Sequence, residues 1–242
     1  MVEHKLLIVG WLNGLIRWIA GLFGLHLDES KEIVSTPLVM SFIVTILLIL
    51  VFKLLVKGLS VKSPSKVQYV LEMIYKFFTG LVDDMIGHEG RRFVPVLATV
   101  GLFITVANLI GLLPEMGSPT ASPLTPAACT LFVVIYYHSQ GVRKHGFFGY
   151  LKTLLGPVPW LAWLFLPIEL ITHFIARPLS LTMRLFGNIF GEDLVIIIIA
   201  MLVPFVAPLP IMALAIFTSF LQAFIFVMLS TIYLAGAIAD EH

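Results

Sequence analysis

Apolar stretches, each about as long as a lipid bilayer is thick, constrain this chain more than any other feature of its sequence. The clearest runs from Leu38 to Leu55, where Lys53 is the only charged residue. An α-helix rises about 1.5 Å per residue, so about 20 residues cross ~30 Å of hydrocarbon. Only 12% of the 242 residues are charged, against roughly 25% in a soluble domain. The sequence therefore predicts an all-α polytopic membrane protein.

The order of apolar and polar segments predicts one membrane domain, residues 1–242, with interfacial helices and about five membrane helices. Its expected parts are an N-terminal interfacial helix (1–34), a first span (36–57), a surface amphipathic helix (66–86), a two-span hairpin (92–141) and a tilted helical hairpin (159–239). The second span of the two-span hairpin is expected at about residues 124–140. Residues 159–203 would form an unbroken helix of roughly 65 Å, about twice the hydrocarbon thickness. We therefore expect this segment to tilt strongly, to kink at Pro167 or Pro178, or to lie partly along the membrane.

Basic residues are concentrated in two parts of the chain. Ten of the 15 Lys and Arg residues lie within 53–92 or 143–152, whereas the loops around Glu115 and Pro208 have none. The positive-inside rule predicts that the basic loops and the C-terminus are cytoplasmic and that the N-terminus lies outside. With a net charge of +1 and no long basic run, nucleic acid is not an expected partner. Protein and lipid are the expected partners.

The sequence offers no set of residues for a metal or a cofactor. Cys129 is the only cysteine, so an intramolecular disulfide is excluded and a thiolate metal site is not expected. A His-Glu-x-x-His motif, which an intramembrane metallohydrolase would use, is absent from the sequence. We expect His88, His138 and His145 to be loop or surface residues.

A stripe of polar residues carries the functional argument. On a helical wheel at about 100° per residue, most polar side chains between 169 and 193 share one face. They are Glu169, His173, Arg177, Ser180, Arg184, Asn188 and Glu192. A charge at the bilayer centre costs at least ~2.5 kcal/mol, so this face must contact protein or water. We expect Arg177, near the membrane interface, to have a structural or lipid-facing role.

Arg184 lies in the middle of the stripe and keeps its proton at any working pH. Its fixed charge would stabilise a nearby carboxylate and would oppose the passage of protons along the stripe. Glu169 lies about 22 Å away along the helix axis and Glu192 about 12 Å away, too far for pairing within the helix. Gly187 and Gly191 permit the close approach of another backbone. The missing carboxylate is therefore expected on another chain.

Two segments resemble subunit a of the rotary F-type ATP synthases of bacteria. The first is Arg177–Asn188 (RPLSLTMRLFGN) and the second, in the last apolar helix, is Leu221–Phe226 (LQAFIF). The resemblance implies that the last two membrane helices form a long, strongly tilted hairpin against a rotor ring of c subunits. It also implies a b-type peripheral stalk, the rest of the ATP synthase complex and the bacterial inner membrane as surroundings.

The resemblance also implies roles for individual residues. Arg184 would face the carboxylate on each helix of the c-ring, with Ser180, Gly187 and Gly191 packed closely against the rotor. Asn188 and Gln222 would line the proton path, and Glu169 and His173 would border the cytoplasmic half-channel. The acid of the outer half-channel in this family stands nine residues after the arginine, which is Asp193 here.

The chain departs from the family pattern near that outer acid. The wheel places Glu192, and not Asp193, nearer the stripe, so both remain candidates. Ala215 stands seven residues before Gln222, where some relatives of the family carry His or Glu.

The expected function is a non-catalytic stator subunit that holds two offset half-channels and couples proton flow to c-ring rotation. The alternative is a self-contained ion or solute transporter. A transporter of that kind would need its own acids at the membrane midplane, and typically an internal repeat. Neither feature is evident in the sequence.

Overall fold

The computed structural model describes residues 9–11, 13–14, 34–60, 64–113, 116–154, 162–203 and 206–239. Within these ranges all regular structure is helical, and seven α-helices are described from end to end. They are α1 (Thr36–Lys57), α2 (Lys66–Ile86), α3 (Val94–Gly111), α4 (Leu124–Leu154), α5 (Ala162–Ile171), α6 (Arg177–Leu202) and α7 (Pro208–Ile238). Short 3-10 helices cover His88–Phe93 and Pro119–Ala121, and a π-helical turn covers Thr172–Ala176.

Four helical segments of the described part are long and apolar enough to cross a membrane. They are Thr36–Lys57, His88–Gly111, Leu166–Leu202 and Pro208–Ile238. A fifth long helix, α4, contains the predicted span 124–140 and packs against α6 and α7. The expectation of an all-α polytopic membrane protein is confirmed. The 37-residue segment Leu166–Leu202 is about 55 Å long, so it cannot stand upright within ~30 Å of hydrocarbon.

Helix α2 has the bounds that its amphipathic pattern predicts, and both of its ends have a local cause. Ser65 caps the first turn, because its hydroxyl accepts a hydrogen bond of 3.2 Å from the backbone N–H of Gln68. Gly87 ends the helix with φ of 87°, a conformation that suits glycine. Phe78 and Val82 are buried, whereas Val67 and Val70 stay exposed. One face of α2 thus packs on the bundle and the rest remains open.

An ion pair joins the end of α2 to the 3-10 helix that leads into α3. Arg91 donates hydrogen bonds to both carboxylate oxygens of Asp83, the shortest being 2.6 Å between Nη2 and Oδ2. These hydrogen bonds hold the pKa of the Asp83 carboxyl below its ordinary value of 3.8. The folded state therefore favours the carboxylate. The resulting stabilisation is present above pH 3.8 and is lost as the pH falls through the lowered pKa.

We expect Arg91→Gln to return the pKa of Asp83 to its ordinary value and to remove this acid dependence. An NMR titration of the Asp83 side-chain carboxyl carbon in micelles measures the pKa, and the difference from the ordinary value gives the acid dependence of the stability. Arg92→Gln is the control, because it removes the neighbouring positive charge and leaves the hydrogen bonds of Asp83 in place. An unchanged Asp83 titration in Arg91→Gln would contradict the assignment.

Helix α4 continues beyond residue 140, where the sequence pattern placed the end of the span. The helix continues through Gly141 as far as Gly146, which adopts φ of 71° and ψ of 166° and breaks it. The chain then resumes a helical path to Leu154. Lys144 lies before this break and donates a hydrogen bond of 2.7 Å to the carbonyl of Ile238. The basic segment is therefore a packed part of the bundle and joins α4 to the end of α7.

The irregularity expected at Pro167 or Pro178 is a π-helical turn between these prolines. The backbone N–H of Arg177 bonds to the carbonyl of Thr172, five residues earlier. Pro178 has no N–H to donate, which favours an irregular hydrogen-bond pattern in the turn that precedes it. The turn accommodates one more residue than an α-helical turn does. The polar stripe drawn on a uniform wheel is therefore divided into a part before this turn and a part after it.

Helix α7 lies at the centre of the bundle and contacts α2, α3, α4 and α6. Its buried side chains include Ala223, Phe226 and Val227, which belong to the main hydrophobic cluster. Its contact with α4 depends on Gly141. A Cβ atom there would collide with the Tyr150 ring and lie 2.9 Å from the carbonyl oxygen of Ala237. The close packing of α4 on α7 therefore needs glycine at this position.

The predicted N-terminal helix 1–34 falls almost wholly outside the described residues. Asn13 and Val34 are described, and they are joined by two hydrogen bonds. The Asn13 Nδ2 atom donates to the Val34 carbonyl at 3.1 Å, and the Val34 N–H donates to Asn13 Oδ1 at 2.8 Å. The start of this region is thereby tied to the entry of α1.

Candidate functional site

Helices α6 and α7 run antiparallel in a register that pairs their polar side chains. The Asn188 side chain donates a hydrogen bond of 2.6 Å from Nδ2 to Oε1 of Gln222. Toward the start of α6, the Arg177 guanidinium lies 4.9 Å from the centre of the Tyr233 ring. Arg177 precedes Asn188 by 11 residues and Tyr233 follows Gln222 by 11, so both contacts belong to one register. Arg177 is a structural contact within the chain, as the sequence predicts.

One helical turn beyond Asn188, the same register brings Glu192 to α7. The register set by Asn188 and Gln222 places Glu192 across from Thr218 on α7. Asn188 and Gln222 with Glu192 and Thr218 therefore form two consecutive rungs, which we call the outer polar ladder. Gln222 is only 3% exposed and Asn188 is exposed, so the ladder leads from the α6 surface into the α6–α7 contact.

Asp193 occupies a different position from Glu192. It is half-buried, and it points about 100° further round the helix than its neighbour. The structure thus brings Glu192 into the outer polar ladder and places Asp193 beside it. Ala215, seven residues before Gln222, is buried, and its carbonyl accepts hydrogen bonds from the hydroxyls of Thr218 and Ser219.

Arg184 is exposed on α6, one turn before Asn188. The register places it across from Phe226, an apolar and buried residue. The side chain of Arg184 has no hydrogen bond or ion pair with any residue in the described ranges. A guanidinium keeps its charge, so the chain presents a positive charge that its described part leaves without a counter-charge.

A second polar group lies on the other side of Arg184, where α4 meets the π turn. The Nδ1 atom of His173 lies 2.9 Å from Oε2 of Glu169 and 3.0 Å from the backbone carbonyl of the same residue. The hydroxyl of Tyr137, on α4, donates to the His173 carbonyl at 3.3 Å. The two residues predicted near the cytoplasmic half-channel are therefore in direct contact.

His138 belongs to this group too, although sequence reasoning predicted a surface or loop residue. It is half-buried, and its Nδ1 atom lies 2.7 Å from the hydroxyl of Tyr150. Its ring stacks on Phe174, with centroids 4.7 Å apart, and lies 6.0 Å from the ring of His173. We call Glu169, His173, His138 and Tyr150 the inner polar cluster. The signal that could have found His138 is its place inside the predicted span 124–140.

The small residues of α6 face open space. A Cβ atom added to Gly187 or to Gly191 would meet no other atom of the structure within 4 Å. Ser180, on the same face, is exposed. The same test finds collisions at Gly101 and Gly141, where helices of this chain pack closely. The described part of the chain therefore makes no use of the small surface of α6.

Comparison with known proteins decides the family. Residues 38–235 match the model of a family described as ATP synthase A chain. The chain belongs to this family. The matched range contains α6, all but the last three residues of α7, the outer polar ladder and the inner polar cluster.

Bacterial relatives of the ATP synthase A chain family cover almost the whole chain. A protein of Pelobacter propionicus called ATP synthase subunit a 1 is 41% identical over 241 residues, 99% of each chain. The ATP synthase subunit a of Trichlorobacter lovleyi is 37% identical over 239 residues, again 99% of each chain. That of Desulfosudis oleivorans is 45% identical over 209 residues, which is 86% of this chain and 90% of the relative.

A double-mutant cycle tests the Asn188–Gln222 rung of the outer polar ladder in this family member. We expect Asn188→Ala and Gln222→Ala to be coupled by about 0.6–1.7 kcal/mol, the range found for hydrogen bonds between membrane helices. The free energy of unfolding of each variant in detergent-lipid bicelles gives the coupling. The pair Thr218→Ala with Asn188→Ala is the control, because no hydrogen bond joins these two side chains. Additive effects of Asn188→Ala and Gln222→Ala would contradict the rung.

Proposed function

We propose that this chain is the stator subunit of the proton-translocating membrane sector of a bacterial ATP synthase. In this role it holds two offset half-channels against a rotating ring of c subunits. Family membership supports the membrane-sector assignment. The observation that carries the mechanism is an exposed Arg184 that lies between two polar groups and pairs with no residue that the structure describes.

The outer polar ladder is the proposed entry path. A proton from outside passes Glu192 or Asp193 and then Asn188 and Gln222 to a carboxylate of the rotor. Carboxylates can accept and release protons, and the two amides can orient water or the incoming acid by hydrogen bonds. Neutralising the rotor carboxylate removes the cost of a charge in lipid, so that helix can move away from the stator.

The inner polar cluster is the proposed exit. There the rotor carboxylate returns to a polar surrounding and releases its proton near Glu169 and His173. An imidazole next to a carboxylate is suited to passing a proton, because imidazole titrates nearest to neutral pH. The contact of 2.9 Å between these two side chains supports their acting together.

Arg184 is the proposed electrostatic divider between the two paths. Its fixed charge attracts the deprotonated rotor carboxylate and stabilises that ionised form. The same charge opposes a direct proton leak from the ladder to the cluster. A proton crossing 100 mV supplies about 2.3 kcal/mol, so several crossings are needed for each ATP. In this proposal the chain itself performs no ATP chemistry.

The same proposal assigns the surroundings of the chain. The partners are the c-ring, the b-type peripheral stalk and the rest of the ATP synthase complex, embedded in lipid. The location is the bacterial inner membrane. The concentration of Lys and Arg within 53–92 and 143–152 supports a cytoplasmic position for those segments and for the C-terminus, with the N-terminus outside.

Reconstitution distinguishes the stator from a self-contained transporter. We expect vesicles that hold only this chain to show no coupled proton flux under an imposed membrane potential. Vesicles that hold the complete complex should acidify when ATP is added. A pH-sensitive dye inside the vesicles reports both, and complete complex without ATP is the control. Proton flux through the isolated chain at the rate of the complex would favour the transporter.

A further inference from the structure

A basic cavity of about 510 Å³ opens between α4 and the 3-10 helix that leads into α3, and it is lined by none of the residues assigned to the proton path. The described residues that line it are Arg92, Gln140, Arg143 and Lys144. Gln140, Arg143 and Lys144 lie three and four residues apart on α4 and therefore share one face. Arg92 comes from the 3-10 helix that leads into α3. None of the lining residues named here is acidic, so the cavity suits an anion.

Two of these cations are available to a ligand. The Arg92 guanidinium lies 4.7 Å from the centre of the Phe93 ring, and Phe93 is buried at 1% exposure. Neither Arg92 nor Arg143 forms an ion pair with a residue in the part of the chain that the structure describes. Lys144 already donates to the Ile238 carbonyl, so the argument rests on the two arginines. Guanidinium groups match the oxygens of a phosphate in a two-pronged arrangement.

An apolar surface leads from the bilayer to this cavity. Phe132, Tyr136 and Gln140 are spaced by four residues along α4, so they lie in line over about 12 Å. The Phe132 and Tyr136 rings stack with centroids 6.3 Å apart, and Phe132 is 51% exposed. A free phosphate ion would have no use for such a surface. An acyl chain attached to a phosphate headgroup would pack along it.

We propose that this cavity binds the phosphate headgroup of an anionic membrane phospholipid, with an acyl chain along Phe132 and Tyr136. Basic pockets between membrane helices on the cytoplasmic side favour such headgroups. The lipid would offset the charges of Arg92 and Arg143 and would fasten the start of α3 to α4. Because Lys144 holds the end of α7, the bound lipid would also stabilise the cytoplasmic end of the bundle.

Photolabelling of the complete purified complex tests the site locally. The probes are phosphatidylglycerol and phosphatidylcholine, each with a photoreactive acyl chain, supplied in nanodiscs of phosphatidylcholine. Adducts are mapped by peptide mass spectrometry. We expect the phosphatidylglycerol probe to label α4 around Phe132 and the phosphatidylcholine probe to label it far less. Arg92→Gln with Arg143→Gln should weaken phosphatidylglycerol binding about 30-fold, since each cation contributes about 1 kcal/mol.

Matched variants control for net charge and assembly. Lys66→Gln with Lys76→Gln removes the same charge from exposed positions of α2 and should leave the labelling of α4 unchanged. Arg92→Lys with Arg143→Lys keeps the charge and should retain preference for the anionic probe, which covers the case in which the Gln variant does not assemble. Native gel electrophoresis reports the amount of complex for every variant.

Four results would overturn the proposal. Equal labelling of α4 by both probes would show that headgroup charge has no influence. An equal loss in the α2 control would show a general surface effect. Displacement of the probe by inorganic phosphate would assign the cavity to a free anion. If the probe labels α4 only after Asp240→Asn with Glu241→Gln, the basic cavity would be assigned to the chain's own carboxylates and not to a lipid.

Discussion

Replacing Arg184 with alanine is expected to abolish ATP-driven proton pumping by the assembled complex. The guanidinium has no counter-charge within the described ranges, so its charge is available to a rotor carboxylate. Removing one partner of an ion pair in a low-dielectric site costs about 3–5 kcal/mol, which is on the order of 10²–10⁴-fold in the coupled rate. Quenching of a pH-sensitive dye in inverted membrane vesicles measures the rate after ATP is added.

Met183→Ala is the matched control for this variant. Met183 is the neighbouring residue, is 54% exposed and carries no charge, so pumping should persist when it is shortened. Native gel electrophoresis must show equal amounts of complex for wild type and both variants. Undiminished pumping by assembled Arg184→Ala would remove Arg184 from the mechanism and leave it a structural role.

The second large effect is expected from Gly187→Leu. No atom lies within 4 Å of a Cβ at this position, so the substitution should leave the fold of this chain intact. A leucine would instead fill the space into which a rotor helix is proposed to pack, and overpacking of a close contact costs about 1–3 kcal/mol or more. We expect the chain to accumulate normally and to lose its association with the c-ring. Co-purification of c subunits in mild detergent measures this association.

Gly80→Leu separates the effect on assembly from a general cost of leucine in place of glycine. Gly80 is exposed on α2 and also has open space around its Cβ position. Because the proposed rotor surface lies on α6, the Gly80 variant should keep its c subunits. Normal recovery of c subunits with Gly187→Leu would show that this face of α6 is not the contact.

Local sequence patterns predicted the bounds of those helices whose ends are set by neighbouring residues. Helix α2 covers residues 66–86 because Ser65 caps its start and Gly87 ends it, and both features can be read from neighbouring residues. The bounds of α1 follow from an apolar run that contains a single charge. At residue 140 the pattern predicted an end too early. The helix that continues there carries Lys144, which donates to the Ile238 carbonyl of α7, a contact that no local pattern contains.

Sequence patterns also selected most of the residues of the candidate site but not their contacts. Asn188 and Gln222 stood out as polar residues in apolar helices, and their hydrogen bond depends on the register between α6 and α7. His138 was wrongly predicted as a surface or loop residue. Of the side chains that enclose it, Phe174 comes from the π turn and Tyr150 from beyond the break at Gly146, and no local pattern shows either contact. The basic cavity likewise exists only once the 3-10 helix before α3 lies against α4, where the Phe93 ring meets that of Tyr136.

The π turn at Thr172–Ala176 sets the angle between two halves of one long helical segment. If the same residues formed a regular α-helix there, without the wider turn, the half that carries Glu169 would rotate by about 100° relative to α6. Glu169 and His173 would then turn away from Tyr137, while Arg184 would keep its direction. The segment can therefore direct one set of polar groups into its own subunit and another set outward. A helix of uniform pitch would tie these two directions together.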